Sequence, residues 1–264
     1  MPILTVNSVP HAYDEVGSGP PLLLIHAGIT DRRMWDDVMP ALAERYRTIR
    51  FDLQGYGDTP LPDGPFCWTA DARGVLDVLG VEGAHVIGIS VGAGIALDLA
   101  IADSARVDRL VLVAPGLPGW EWGDAMNAYS EAESAAVERG DLEEASWVNV
   151  RFWLDGSRPP EEVDPRLRQK VYEMQLRAFQ VDNEAAELSW LVPNRGERLH
   201  EVTAPTLILV GERDQPDFAE MGRQMAERMP NARVEMLPGV AHLPPLEDPD
   251  SFLAAALPFL AGED

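Results

Sequence analysis

Lysine is almost missing from this chain: Lys170 is the sole one, and 21 Lys and Arg stand against 44 Asp and Glu, a formal net charge of −23. Such a balance works against phosphate backbones and anionic membranes, whose binding rests on Lys and Arg. Neither nucleic acid nor a membrane is therefore expected as a partner. The acidity serves solubility and by itself points to no cationic substrate. Cysteine is equally scarce. Cys67, the single one, cannot close an intramolecular disulfide, and without ligand-spaced neighbours it reads as a small buried hydrophobe. No His, Cys and carboxylate grouping has a metal-binding spacing, and neither Gly-x-Gly-x-x-Gly nor Gly-x-x-x-x-Gly-Lys-Ser/Thr occurs, so no metal, nucleotide or other cofactor is expected. No apolar run approaches the ~20 residues of a membrane span. "MPILTVNSVP" has neither the basic start nor the apolar stretch of a signal peptide, and a cytoplasmic protein is the expectation. A homo-oligomer is compatible with the sequence, which fixes no assembly state.

What is present reads as an α/β protein. "PILTVN" and "HAYDEV" predict an opening pair of strands joined by a turn around Pro10, and "PPLLLIHAG" is a continuous apolar run of the kind covered on both faces of a sheet. "RTIRFD", "AHVIGIS", "RLVLVAP", "TLILVG" and "ARVEMLP" follow as short Val/Leu/Ile-rich runs bounded by Gly, Pro or Asp. Helical patterns separate them: "MWDDVMPALAERY", "TADARGVLDVLG", "GAGIALDLAIAD", "PDFAEMGRQMAERM" and "DPDSFLAAALPFLA". This alternation predicts a mostly parallel central sheet flanked by helices. It stops over residues 117–200, a Pro-punctuated, mostly helical stretch with five of the seven tryptophans, and resumes at "APTLILVGERD". The division expected is a core of residues 1–116 and 201–264 with a helical insertion, 117–200, lying over the sheet.

Ser90 stands between Gly88 and Gly92 in "HVIGISVGAGIAL", a strand running into a small-residue helix. Gly-x-Ser-x-Gly in that context places a serine on a sharp strand-to-helix turn, where the flanking residues must be small and the helix N-terminus favours developing negative charge. A serine needs a base. Of His11, His26, His85, His200 and His242, only His242, in "LPGVAHLPPLEDP" between the last strand and last helix, is placed to reach Ser90. His85 starts the nucleophile's own strand, and His11 and His200, near polar turns, read as solvated. Asp214, a few residues past the end of "TLILVG", is the orienting carboxylate, preferred over Glu212 at the strand end. For an oxyanion, the Val91 amide supplies one donor and Gly28 or Ile29, in "LLLIHAGIT", the other. Ile29, Trp120, Trp122, Trp147 and Trp153, with Phe152 and Phe179, either line an apolar pocket or form the insertion's own core.

Together these features resemble the α/β-hydrolase fold superfamily across essentially the whole chain. The order Ser90, Asp214, His242 is the family's order, "HAGI" is similar to its His-Gly-x oxyanion loop with Ala27 in the glycine's place, and "FDLQGYGDT" is similar to its Asp-x-x-Gly-x-Gly-x-Ser segment with Thr59 as the serine, a structural element. Within the superfamily the resemblance is to small capped serine hydrolases: enol-lactone hydrolases, carboxylesterases and carbon–carbon bond hydrolases. It implies an esterase or lactonase without a cofactor, acting on a small-molecule, hydrophobic ester or lactone through an acyl-enzyme. Rival readings are carbon–carbon hydrolysis, cofactor-free haloperoxidase or perhydrolase activity with the same triad, and a small-molecule receptor on this fold.

Overall fold

Runs of Val, Leu and Ile with period-2 packing build one eight-stranded sheet, in the order β1-β2-β4-β3-β6-β7-β9-β10. The structure, a computed structural model, describes residues 2–181 and 185–263. Strands β1 (Ile3–Val6) and β2 (Val9–Val16) form a hairpin, and β2 lies antiparallel to β4 (Arg47–Phe51). The rest is parallel: β4 to β3 (Pro21–Ile25), then β6 (Ala84–Ile89), β7 (Val107–Val113), β9 (Thr206–Gly211) and β10 (Ala232–Leu237). The hairpin turn falls on Asn7 and Ser8, both at positive φ (50° and 68°), and Pro10 lies inside β2 rather than in the turn. Asparagine tolerates that left-handed geometry better than most residues, so the turn forms one step earlier than proline's usual role suggests.

The α-helices are α1 (Met39–Ala43), α2 (Trp68–Val78), α3 (Val91–Ala102), α4 (Asp124–Glu138), α5 (Leu142–Asn149), α6 (Pro165–Gln180), α7 (Pro216–Arg228), α8 (Pro244–Glu247) and α9 (Pro249–Ala261). Alternation along β3 sends Leu23 and Ile25 into one apolar cluster, with α2, α3 and α7, and Leu22 and Leu24 into another, with α1, α8 and α9. A sheet buried on both faces needs such continuous apolar strands. The predicted helix over "MWDDVMPALAERY" is broken: a 3₁₀ turn at Arg32–Trp35 precedes the five-residue α1.

Between β7 and β9 lie α4, α5 and α6, packed side by side. α5 runs into a π-helical turn, Val150–Asp155, that carries Phe152 and Trp153. One parallel pairing was not visible in the alternation: Gly64–Phe66 (β5) with Ala186–Leu188 (β8), three residues each. Among the described residues no helix is long and apolar enough to cross a membrane. Two residues are placed differently from expectation. His11 is fully buried, its Nδ1 3.1 Å from Asp52 O, because β2 is covered there. Cys67, expected to be buried, is only half-buried.

Candidate active site

Ser90 sits where β6 turns into α3, at φ +54° and ψ −113°, a conformation that costs a non-glycine residue energy and persists only where its surroundings impose it. They do so here through the two glycines. A Cβ on Gly88 would collide with Gly92 O, and one on Gly92 would lie 2.6 Å from His26 O and nearer still to Ile25 O. The turn is thus pressed directly onto the end of β3. Ser90 N donates to Val113 O (2.9 Å), which ties the turn to β7.

His242 lies in the loop between β10 and α8. Its Nδ1–H donates to Asp214 Oδ2 at 2.8 Å, which leaves Nε2 as the acceptor nitrogen. The ring is held edge and face by Phe218 and Trp153, with centroids 4.8 and 4.4 Å away. Nε2 is buried and makes no hydrogen bond among the described residues, yet His242 and Ser90 line one cavity. Asp214 is itself fixed, its Oδ1 accepting from Gln215 N (2.8 Å). Glu212 is exposed and accepts from Gly239 N (3.1 Å), away from the imidazole.

The loop Ala27–Ile29 leads away from β3. His26 anchors it: Leu53 N–H donates to Nε2 (3.0 Å), so Nδ1–H donates to Ala27 O (2.8 Å). Complete burial pushes the His26 pKa below its ordinary value, which keeps the ring in this neutral tautomer. Gly28 abuts Ser90's neighbour, with Val91 Cγ2 3.0 Å from the place a Cβ would take. Among the described residues the amides of Gly28, Ile29 and Val91 donate to no protein acceptor, as an oxyanion site requires. The "FDLQGYGDT" segment is structural. Asp52 accepts from Arg32 N and Asp58 N (both 2.8 Å) and pairs with the Arg32 guanidinium, while Thr59 Oγ1 accepts from Ala12 N (3.0 Å).

Two cavities meet at Ser90, sharing Ser90, Val91 and Trp153. The first, about 330 Å³, is walled by Trp120, Trp122, Trp190, Leu117 and Phe218. Trp120 Nε1 donates to Asp217 Oδ1 (2.9 Å), which turns its apolar face to the space. Arg195 closes one side, stacked on Trp190 at 4.2 Å and paired with the buried Asp98 (3.3 Å). The second, about 310 Å³, is lined by Gly28, Ile29, Phe179 and polar groups of the helical segment. Trp147 lines neither. It stacks on Tyr172 with centroids 4.5 Å apart and under Arg168, so it belongs to the packing of α5 on α6. Phe152 likewise stacks on Tyr129 (4.3 Å).

Sequence reasoning missed Glu247. Its two oxygens accept from the amides on either side of His242, Ala241 N to Oε2 and Leu243 N to Oε1, both at 2.8 Å, and Arg158 pairs with it. A carboxylate in the first turn of a helix reaching back to the N-cap amide, as Glu247 does to Leu243 N, resembles a capping box; here it also fixes the imidazole's backbone. Glu247→Gln replaces one acceptor by a donor facing an N–H or a guanidinium. We expect kcat to fall about 10- to 100-fold with KM little changed, the scale of an ångström-level misplacement. Steady-state kinetics on a protein with an unchanged circular dichroism spectrum checks this, and an equal rise in KM with kcat intact overturns it.

The model of the alpha/beta hydrolase family matches residues 22–256. The chain is 26% identical over 257 residues to the pimeloyl-[acyl-carrier protein] methyl ester esterase of Nitrosospira multiformis, covering 93% of this chain and 96% of that one. It is 29% identical over 267 residues to the 2-hydroxymuconate semialdehyde hydrolase of a Pseudomonas species, covering 95% and 90%. Among solved structures, the enol-lactonase of Burkholderia xenovorans superposes with a TM-score of 0.80 over 98% of this chain and 100% of that one, a likeness of fold at 20% identity.

Proposed function

The chain belongs to the alpha/beta hydrolase family, and from that premise we propose that it is a serine hydrolase cleaving an ester or lactone of a small, largely hydrophobic substrate. The observation that carries this reading is His242: one ring nitrogen is held by Asp214, and the other is buried, unpartnered and in the same cavity as Ser90. In the reaction, His242 Nε2 takes the Ser90 proton as Oγ attacks the carbonyl carbon, and the carbonyl oxygen becomes an oxyanion. The free amides of Val91 and of Gly28 or Ile29 stabilise that charge. Asp214 stabilises the imidazolium and fixes its tautomer. Nε2–H then protonates the departing alkoxide, and the acyl group stays on Ser90. Water, deprotonated by His242, attacks the ester carbonyl and releases the acid and free serine.

The aromatic first cavity supports a hydrophobic moiety on one side of the scissile bond. A fluorophosphonate should label the folded protein at one site per chain, with the phosphonyl mass on the Ser90 peptide by tandem mass spectrometry. Labelling elsewhere, or none, overturns the reading. Carbon–carbon bond hydrolysis with the same triad is the second reading, favoured by the 29% identity to the semialdehyde hydrolase over nearly both chains.

A further inference from the structure

Part of the second cavity's wall is polar, which neither an ester-cleaving centre nor an apolar acyl pocket requires. It is built from three helices that the sequence gives no reason to connect: Tyr129 and Glu133 on α4, Asn149 at the end of α5, and Gln175 on α6. Tyr129 Oη and Asn149 Nδ2 both meet Glu133 Oε1, at 3.0 and 2.5 Å, and no protein group among the described residues hydrogen-bonds Oε2. No Lys, Arg or His among the described residues pairs with this carboxylate. Gln175, only 5% exposed, lines the same space, and its Oε1 is buried without a hydrogen-bond partner among the described residues. Buried carboxamides are nearly always hydrogen-bonded, so an unsatisfied one beside an unpaired carboxylate marks acceptors held ready for a donor.

We propose that this wall is a subsite for the substrate's hydrogen-bond-donating head, an amine N–H or a hydroxyl, and that it rejects a carboxylate. Glu133 Oε2 and Gln175 Oε1 accept from the head. Tyr129, Trp153 and Phe179 line the same space, and aromatic rings suit a cation and tolerate a neutral group. A substrate anion would face Glu133 as a like charge. Resting on the serine-hydrolase reading for the position of the scissile carbonyl, this makes the substrate two-ended: apolar toward Trp120 and Trp190, donor-bearing toward Glu133 and Gln175.

The test uses four hexanoate esters of similar length, those of 4-aminobutanol, 1,4-butanediol (monoester), pentanol and 4-hydroxybutanoic acid. In the wild-type chain we expect kcat/KM for the amino and hydroxy esters to exceed that for the pentyl ester about tenfold or more, the scale of one net hydrogen bond. The carboxylate ester should fall about tenfold below it. An advantage of the amine over the hydroxyl identifies an ammonium head, and equal rates identify a neutral donor. Glu133→Gln should raise the carboxylate ester relative to the amino ester, and Gln175→Leu should narrow the lead of the hydroxy ester over the pentyl ester. A series led by the pentyl or carboxylate ester, or one without rank, overturns the proposal; if p-nitrophenyl acetate is still turned over, the serine-hydrolase reading stands without it. Should wild type turn over no ester, the same four compounds are titrated into the Ser90→Ala chain and followed by tryptophan fluorescence, which Trp153 in the cavity wall supplies. The same ranking in Kd then supports the subsite, and a reversed or flat one overturns it.

Discussion

Alanine at position 90 is expected to lower ester kcat roughly 10⁶-fold, and alanine at position 242 to lower it by nearly as much, with the double variant no slower than either single one. Members of a proton-transfer unit do not contribute independently: without the serine the base has nothing to activate, and without the base the serine hydroxyl is a poor nucleophile. The residual rate belongs to the free amides of the Gly28 loop and Val91 and to substrate binding. Ser90→Ala keeps the Cβ and so keeps the strained φ of +54° already accommodated there, which leaves the fold intact. Asp214→Asn should cost about 10⁴-fold, because an amide opposite Nδ1 no longer selects the tautomer that leaves Nε2 free. Stopped-flow hydrolysis of a p-nitrophenyl ester resolves acylation from turnover. Losses that multiply between positions 90 and 242 would overturn the unit.

Gly92→Ala is expected to destabilise the chain by more than about 3 kcal/mol, a large part of the 5–15 kcal/mol that holds a typical protein folded. The direction is the reverse of the general rule. Inside a helix alanine is more favourable than glycine by up to ~1 kcal/mol, and Gly92 lies in the first turn of α3. Its new Cβ, however, would meet the carbonyls of Ile25 and His26, backbone atoms at the end of β3 that cannot rotate aside. Gly94, two residues on, meets side-chain atoms rather than backbone: the end of the Arg195 guanidinium at 3.2 Å and Trp190 Cζ3 at 3.6 Å, ordinary van der Waals contact. Gly94→Ala should therefore stay within about 1 kcal/mol of wild type. Thermal denaturation should give a Tm for Gly92→Ala lower by roughly 6–12 °C, at 2–4 °C per kcal/mol for a chain of this size class. Equal melting of the two variants would overturn the steric account of the turn.

The sheet and the positions of Ser90, Asp214 and His242 were legible because each carries a local signal. An unbroken "PLLLI" or "TLILVG" can only be a strand covered twice, and glycines two before and two after a serine at a strand end mark a close backbone approach. The unread part depends on contacts distant in sequence. His11 stands beside a turn and a polar strand end, and only the return of Asp52 and Asp71 across β2 buries it. Trp147 and Trp153 are six residues apart on one helical stretch, and the π turn sends one to His242 and the other to Tyr172. Tyr129, Glu133, Asn149 and Gln175 follow no spacing pattern, since the packing of α4, α5 and α6 brings them together. Glu247 reads as one more acid in an acidic chain until its oxygens are seen on the amides flanking His242.

The two chambers share Ser90, Val91 and Trp153, and on the serine-hydrolase proposal this shared boundary bears on the order in which products leave. A molecule that spans it would be cut at the doorway, leaving each fragment in a room of its own. Partition of this kind would let the first fragment depart without displacing the one still bound to the serine.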